Sequence, residues 1–377
     1  MKRPLKILFL ASWYPNKTDR FLGNFVQRHA EAISTIQEVY VVAAFRYKEY
    51  SLERVQRGNL TEITVYYQNK LPLISYLKAM HKGIREIDLK KTDFDLCHVN
   101  VAWPAGLIAL LLKIPFVVTE HFSGYVPMRN HRWPILSKTL TKRILQQANF
   151  VLPVSEFLRN AMAGFAPKAK YRIIPNVVNE KLFNYSPPET EGRFTFLHIS
   201  TLEDKSKNIR GLLDAVNKVA LKGRRNFRLL IGGDGSQHFL KRSILEFCPG
   251  GAFIETFSHK APYEVAELMK KSHALLMFSH YETQSCTILE ALSSGRPVVS
   301  SEVGGIPEIT DASNSILVKD NDRIGLAKAI EKMVDTYEQF DKEKIAAEAR
   351  RKYSYEVIAR SYDEVYASAL KSGSSDL

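Results

Sequence analysis

Apolar runs of strand length alternate with helical patterns in two successive series, and this alternation limits the fold more than any other feature. The first series predicts strands at Lys6–Ala11, Val39–Ala44, Thr61–Tyr67, Leu96–Val99, Phe116–Thr119, Phe150–Val154 and Tyr171–Ile174. Helical spacing separates them, as in Phe25–Ile33 and Ala105–Leu112. A strand, a helix and a strand in that order predict parallel pairing in a doubly wound sheet.

A second series begins after Asn184–Arg193, a proline-containing acidic stretch that reads as a linker. It predicts strands at Phe194–Ser200, Arg228–Gly232, Ala252–Thr256, His273–Phe278, Pro297–Ser300 and Ser315–Val318. A chain of 377 residues is long enough for two domains. We therefore predict an α/β protein with two Rossmann-like domains, residues 1–186 and 193–355, that face a ligand cleft, followed by a helical tail over residues 356–377.

The composition argues against several other classes of protein. The longest apolar stretch, Ala105–Thr119, is interrupted by Lys113 and Pro115, so it is too short for a membrane span. No signal-peptide cleavage site follows the first apolar run. The three cysteines are scattered and lack metal-site spacing, which favours reduced thiols. We therefore expect a cytoplasmic protein.

The net charge of +13 is concentrated in the first half, where residues 1–185 hold 27 Lys+Arg against 13 Asp+Glu. This asymmetry favours an anionic partner: nucleic acid, a membrane or an acidic substrate. Two basic stretches have apolar residues at helical spacing, as expected of helices at an anionic membrane surface. The first contains Lys78, Lys82, Arg85, Lys90 and Lys91 with Leu77, Met80, Ile84 and Ile87; the second contains Arg129, Arg132, Lys138, Lys142 and Arg143 with Trp133, Ile135, Leu136 and Leu140. The alternative is that the apolar positions pack inside the domain and the basic side chains are merely solvated.

The segment from Tyr281 to Thr310 combines several features of a binding site. Glu282 lies in the loop after a predicted strand, and Ser285 or Thr287 can cap the helix that follows. Parallel sheets bind ligands beyond the carboxyl ends of their strands, and a helix N-terminus there favours a phosphate.

Farther along the same segment, Glu290 lies inside the helix, where its carboxylate could accept hydrogen bonds from a ribose diol. Gly304 and Gly305 then allow the backbone to approach a ligand closely. Together the features predict a pocket for a nucleoside diphosphate. The alternative is a solvent-facing Glu290 and an ordinary tight turn at the glycines.

These residues also resemble a known family. Glu282, the seven residues after it, Glu290-Ala291-Leu292 and Gly304-Gly305-Ile306-Pro307-Glu308 are similar to the signature of the family 4 retaining glycosyltransferases of GT-B fold. Six further motifs follow the family's order: Ser12-x-Tyr14-Pro15 with Gly23-Asn24, Thr119-x-His121, Val154-Ser155-Glu156, Ile174-Pro175-Asn176-Val177-Val178, Lys207-Asn208 and Gly233-x-Gly235.

The resemblance implies a GT-B fold whose C-terminal helix returns toward the N-terminal domain. It implies catalytic roles for His121 and Glu282 near the transferred sugar, diphosphate neutralisation by Lys207, ribose binding by Glu290, and approach of Gly23 to the phosphate or the sugar. The donor site would also include Gln284, Ser285 and Cys286. The implied reaction transfers a sugar from a nucleotide-diphosphate sugar, with retention of configuration, to a glycan or lipid-linked acceptor, as in cell-surface polysaccharide synthesis at the cytoplasmic membrane.

Three departures from the family pattern concern the same loops. Thr201 stands where relatives usually carry a basic residue, and Lys205 or Arg210 is the candidate replacement. Asn24 occupies the second glycine position of the N-terminal loop. Thr283-Gln284-Ser285 replaces a loop that is often glycine-rich, so sugar selectivity is expected to differ.

Other functions fit parts of the sequence. A sugar-nucleotide epimerase would share the fold and need no acceptor. The run Gly232-Gly233-Asp234-Gly235 suggests a nicotinamide oxidoreductase, but its spacing does not match the dinucleotide fingerprint. A non-catalytic binder of nucleic acid or another anionic polymer would fit the basic half, yet basic motifs interleaved with aromatic residues are absent. Asp93-x-Asp95 precedes a strand instead of following one, so no metal clamp is predicted and the transferase would act without metal or cofactor.

Overall fold

A computed structural model describes residues 3–68, 71–87, 93–127, 131–189, 192–223 and 226–373. The chain divides into two compact units. The first unit comprises Met1–Val177 and Tyr355–Leu377, and the second comprises Val178–Ser354. The first unit thus ends before residue 186, and the C-terminal tail belongs to it. Lys90, Lys91 and Arg129, which contribute to the predicted basic stretches, lie outside the described residues.

The first unit is a doubly wound sheet with one antiparallel edge strand. Its described strands are β1 (Lys6–Ala11), β2 (Glu38–Arg46), β3 (Ser51–Arg57), β4 (Leu60–Tyr67), β5 (Leu96–Asn100), β6 (Phe116–Glu120) and β7 (Phe150–Pro153). The helices between them are α1 (Asn24–Ile33), α2 (Pro72–Arg85), α3 (Gly106–Leu112), α4 (Ile135–Gln147) and α5 (Glu156–Phe165). The strand order is β3-β4-β2-β1-β5-β6-β7, and only β3 pairs antiparallel to its neighbour.

Two details of this sheet differ from the sequence-based prediction. The hairpin strand β3 was not predicted. The predicted strand Tyr171–Ile174 is wrong: the segment makes a single bridge from Tyr171 to Val151, and only scattered backbone bonds join it to β7. Pro175, which follows, has no N–H with which to extend a ladder.

The second unit repeats the doubly wound plan. Its strands are β8 (Phe194–Ser200), β9 (Phe227–Gly233), β10 (Ile254–Phe257), β11 (Ala274–Leu276), β12 (Val298–Ser301) and β13 (Ser315–Val318). Its helices are α6 (Asp204–Lys207), α7 (Ile209–Leu221), α8 (Gln237–Phe247), α9 (Pro262–Lys270), α10 (Cys286–Ser293), α11 (Arg323–Thr336) and α12 (Lys342–Tyr353). The parallel order β10-β9-β8-β11-β12-β13 places the topological switch point between β8 and β11.

Each sheet buries apolar side chains on both faces. In β1, Leu8 and Leu10 point to the cluster beneath α2–α5, whereas Ile7 and Phe9 point to the opposite cluster. The last helix, α13 (Tyr355–Gly373), completes that second cluster and packs against α1 and β6. The predicted two-sheet fold, with a C-terminal helix that returns to the first unit, is confirmed.

Candidate active site

The switch point of the second unit brings Lys207 and Glu282 into contact. Lys207 follows β8 and Glu282 follows β11, the adjacent strand. Lys207 Nζ donates to Glu282 Oε1 at 2.5 Å, and Ser279 Oγ donates to the same oxygen at 2.9 Å. The side chains are only 17% and 10% exposed. An acid and a base are therefore paired at the sheet edge where α/β folds bind ligands.

The backbone around Lys207 is fixed by local hydrogen bonds. Lys207 ends the single turn of α6, and Asn208 then adopts a left-handed φ of 48° and caps α7, its Oδ1 accepting from Gly211 N at 3.2 Å. His280 N donates to Ser206 O at 2.8 Å, which ties this loop to the Glu282 loop. Asn208 in the Lys-Asn motif thus has a conformational role.

Gly304, near Glu282, is required by the protein's own backbone. Gly304 has a φ of 57°, and a Cβ there would lie 1.9 Å from Glu282 O. Gly305 N donates to that carbonyl at 3.1 Å. Gly233 approaches Ser200 O just as closely on the neighbouring loop. We expected Gly304 and Gly305 to approach a ligand; the close approach that the structure shows is that of Gly304 to Glu282.

Helix α10 carries the remaining predicted donor residues. Ser285, not Thr287, caps the helix and accepts from Ile288 N. Glu290 is 6% exposed, so the alternative of a solvent-facing carboxylate is wrong. Gln284 and Ser285 are buried, and Cys286 is half-buried. Their roles toward a nucleotide remain predictions.

The loop with the unusual Thr201 has two basic neighbours in different settings. Thr201 and Lys205 are exposed. Arg210 is already engaged, because its guanidinium lies 3.6 Å from the Asp204 carboxylate and 5.3 Å from the centre of the Phe239 ring. Lys205 is therefore the more accessible replacement for the missing basic residue.

In the first unit, His121 lies just beyond β6 and is held by a carboxylate that the sequence analysis did not single out. Glu120 Oε1 accepts from the backbone N–H of His121 and Phe122, each at 3.0 Å. Glu120 Oε2 accepts from Ala102 N at 3.0 Å and from the Tyr125 hydroxyl at 3.1 Å. Burial raises the pKa of Glu120, and these hydrogen bonds oppose that effect. The four bonds fix the loop that carries His121.

Aromatic rings surround His121. The centroid of the Phe25 ring lies 4.6 Å from the imidazole, and that of His29 lies 5.3 Å away. Burial and the nearby His29 hold the pKa of His121 well below its usual value. His121 Nε2 is buried and has no hydrogen-bond partner within the described residues. A neutral imidazole with an unsatisfied nitrogen can exchange a hydrogen bond with a ligand hydroxyl.

Gly23, at the start of α1, also has a conformational role. Its φ is 65°, and a Cβ there would lie 2.7 Å from the carbonyl carbon of Trp13. The Trp13 ring packs edge-on against Phe25, which contacts His121, and against Phe122, which follows His121 in the chain. The glycine therefore permits the aromatic packing around His121, and its contact with a donor remains a prediction.

The two units match two family models. Residues 23–182 match the model described as glycosyltransferase family 4, and residues 193–336 match the one described as glycosyl transferases group 1. An uncharacterized glycosyltransferase of Methanocaldococcus jannaschii is 24% identical over 346 residues, covering 89% of this chain and 90% of that protein.

Two further similarities bear on the fold and on the substrates of relatives. A phosphatidylinositol N-acetylglucosaminyltransferase subunit of Arabidopsis thaliana is 28% identical over 312 residues, covering 82% of this chain and 66% of that protein. The crystal structure of Anabaena HepE in complex with UDP and glucose superposes with a TM-score of 0.73 at 16% identity, covering 96% and 99% of the two chains.

Proposed function

Since this chain belongs to the family 4, group 1 glycosyltransferases and is a glycosyltransferase of GT-B fold, we propose that it transfers a sugar, with retention of configuration, from a nucleotide-diphosphate sugar. The observation that most supports this function is the Lys207–Glu282 pair at the switch point of the second unit, with the buried Glu290 in the helix that follows. UDP is the first nucleotide to test, because HepE was crystallised with UDP and glucose.

The proposed chemistry places the positive charge where the reaction develops negative charge. The bond between the sugar and the diphosphate breaks, the acceptor oxygen bonds to the same face of the sugar, and the leaving phosphate takes the acceptor proton. Negative charge accumulates on the leaving diphosphate, so preorganised donors there lower the barrier. Lys207 and the N-terminus of α10 supply such donors.

The two proposed catalytic residues act on the sugar. Glu282 orients it or stabilises its developing positive charge, and the neutral His121 hydrogen-bonds a sugar hydroxyl. Lys207 takes the charge-neutralising role that a metal ion has in other transferases, so turnover should be unaffected by EDTA. Loss of turnover in EDTA that Mg²⁺ restores would contradict this part of the proposal.

A thermal-shift screen with UDP, GDP, ADP and their glucose conjugates tests the donor. A ligand at one hundred times its Kd adds about 2.7 kcal/mol to the unfolding free energy. We expect one nucleoside diphosphate to raise Tm and the Glu290→Ala variant to lose that response. No shift with any of the six would contradict a nucleotide-sugar donor, and isomerisation of a sugar nucleotide without acceptor would identify an epimerase.

We further propose a lipid-linked acceptor, presented at an anionic membrane by the first unit. The apolar residues of the first basic stretch, in and just after α2, all pack inside: Met80 and Ile87 are buried, and Leu77 and Ile84 lie against the core. At those positions the alternative interpretation is therefore correct: the apolar side chains pack inside the domain and do not face a membrane.

Other apolar residues are exposed at the starts of two helices. Leu71 and Ile74 at α2 are 58% and 51% exposed, and Ile135 and Leu136 at α4 are 86% and 64% exposed. Helix α3 packs against both α2 and α4, and exposed basic residues follow the apolar ones along each helix: Lys78, Lys82, Lys138 and Lys142. Apolar and basic side chains together suit an anionic lipid surface.

The similarity to an enzyme subunit named for phosphatidylinositol supports a lipid acceptor. No helix within the described residues is long and apolar enough to span a bilayer.

Cosedimentation with vesicles of phosphatidylcholine, with and without phosphatidylglycerol, tests this surface. Burying one large apolar side chain contributes about 1.5–3 kcal/mol, so Ile135→Asp should weaken vesicle binding by at least tenfold. Leu245→Asp, at a 72% exposed position of the second unit, is the matched control. Equal binding of the wild type to neutral and anionic vesicles at low salt would contradict the proposal. So would an equal loss of vesicle binding in Ile135→Asp and Leu245→Asp.

A further inference from the structure

A continuous chain of buried polar side chains crosses the core of the first unit. It begins in the C-terminal helix α13 and ends beside His121. Each member is at most 3% exposed. The members, in order, are Tyr366, His98, Thr119, Tyr362, His29 and Asn176.

Short contacts join successive members. The Tyr366 hydroxyl lies 2.7 Å from His98 Nδ1, and His98 Nε2 lies 2.8 Å from Thr119 Oγ1. Thr119 Oγ1 lies 3.1 Å from the Tyr362 hydroxyl, which lies 3.0 Å from His29 Nδ1.

The last contact sets the direction of every proton in the chain. His29 Nε2 lies 3.4 Å from Asn176 Oδ1, and an amide oxygen can only accept, so His29 carries its proton on Nε2. Burial lowers the pKa of His29 to about 4, so the ring is neutral and Nδ1 must accept. The Tyr362 hydroxyl therefore donates to His29.

The direction of the Tyr362 proton also fixes the donors and acceptors toward α13. Because the Tyr362 proton points to His29, its oxygen accepts from Thr119, and Thr119 in turn accepts from His98 Nε2–H. His98 is also buried with its pKa well below the usual value, so its Nδ1 accepts from Tyr366. One tautomer of each histidine satisfies the whole chain.

Asn176 connects this chain to the candidate site. Its amide raises the pKa of both His29 and His121 against the effect of burial, and the His29 and His121 rings lie 5.3 Å apart. A change in His29 therefore alters the surroundings of His121 in two ways: through the ring that packs against it and through the amide that both imidazoles share.

We propose that Tyr362, His29 and Asn176 are positioning residues, through which the C-terminal helix holds His121 in the orientation needed for turnover. The proposal rests on the proposed function, in which His121 contacts the sugar. Asn176 selects the His29 tautomer, the Tyr362 hydroxyl donates to the Nδ1 that accepts in that tautomer, and His29 and Asn176 together position His121. A misplaced contact to substrate of about 1 Å can cost up to about a hundredfold in rate.

Tyr366 provides a matched control for a merely structural role. Tyr362→Phe and Tyr366→Phe each remove one buried hydroxyl that donates to a histidine of the same chain. Their effects on folding should be similar. Only Tyr362 contacts His29, so only its loss should reach His121.

The first measurement needs no ligand. In the full-length chain labelled with ¹⁵N-histidine, long-range ¹H–¹⁵N spectra at pH 7 report the tautomer of each ring. We expect His29 and His98 to be protonated at Nε2, and Tyr362→Phe to shift the signals of His29 and His121. Tyr366→Phe should shift His98 and leave His121 in place. Unchanged His121 signals in Tyr362→Phe would overturn the proposal, whatever the reaction catalysed.

The second measurement uses UDP-glucose as the donor probe. Tyr362→Phe should lower kcat by about tenfold or more and leave KM for UDP-glucose within about twofold, with Tyr366→Phe close to wild type. Asn176→Ala should reproduce the loss by breaking the last link instead. Equal kcat in the two tyrosine variants would overturn the positioning role. Absence of turnover in the wild type would count against this donor, and the spectra would still decide whether α13 controls His121.

Discussion

The ion pair between Lys207 and Glu282 should stabilise the free protein and compete with the bound diphosphate. Removing one partner of a fully buried pair costs about 3–5 kcal/mol, whereas exposed pairs contribute about 0–1 kcal/mol. At 17% and 10% exposure, with Ser279 as a second donor to Glu282, the pair lies between these limits. We expect each single substitution, Glu282→Gln or Lys207→Met, to cost about 2 kcal/mol. Since both remove the same interaction, the coupling energy should be about 1–2 kcal/mol.

Urea unfolding of the wild type, the two single variants and the double variant measures this coupling, provided that the m-values agree. A coupling energy within about 0.5 kcal/mol of zero would show that the contact does not stabilise the protein. Calorimetry with UDP then tests the competition. Lys207→Met should weaken UDP binding, while Glu282→Gln should tighten it, because the ammonium no longer has to leave a carboxylate. Weakening of similar size in both variants would refute the competition.

Three further predictions concern Glu290, His121 and the pair of buried histidines His29 and His198. Glu290→Ala should weaken UDP binding by about 1.5–3 kcal/mol, the value of a charged hydrogen-bond partner, and unchanged affinity by calorimetry would contradict its ribose-binding role. His121→Ala should reduce turnover yet leave UDP affinity unaffected; wild-type kcat would remove it from the mechanism. The unfolding free energy should fall as the pH drops from about 6.5 toward 4, because His29 and His198 have a folded pKa of about 4. In that range their imidazoles bind protons in the unfolded protein but not in the folded one. The expected fall is up to about 1.4 kcal/mol per pH unit for each of the two residues. Denaturant titrations at pH 7, 6 and 5 check that slope, and a flat profile would contradict it.

The parallel strands could be predicted because strands buried on both faces are nearly continuous apolar runs. The strand β3 could not be predicted by the same rule. Its sequence, Ser51–Arg57, is charged and largely exposed, as expected of an edge strand that must resist pairing with other chains. The prediction of a strand at Tyr171–Ile174 was wrong although the segment is apolar. Its apolar residues pack beside β7 without forming a ladder.

The residues of the candidate site could be predicted where they lie in loops directly after predicted strands. Lys207, Glu282 and His121 each follow a predicted strand, and the topology brings the first two together. Glu120, a carboxylate at the end of an apolar run, carried a usable signal that we did not weigh. The sequence held no signal for the hydrogen bond between His29 and Tyr362. These residues are 333 positions apart, and only tertiary packing brings their two helices together.

The buried histidines of both units have a consequence for charge at the candidate site. His198, on β8, donates from Nδ1 to Leu276 O at 2.8 Å and accepts at Nε2 from Ser200 Oγ at 2.9 Å, so both of its nitrogens are occupied in the neutral form. Burial lowers its pKa to about 4, and the nearby Lys207 contributes to that lowering, since a second positive charge there would be unfavourable. His121 is kept neutral in the same way in the first unit. Between pH 6 and 8, therefore, His198 adds no charge next to Lys207 in the second unit, and His121 adds none to its own loop in the first.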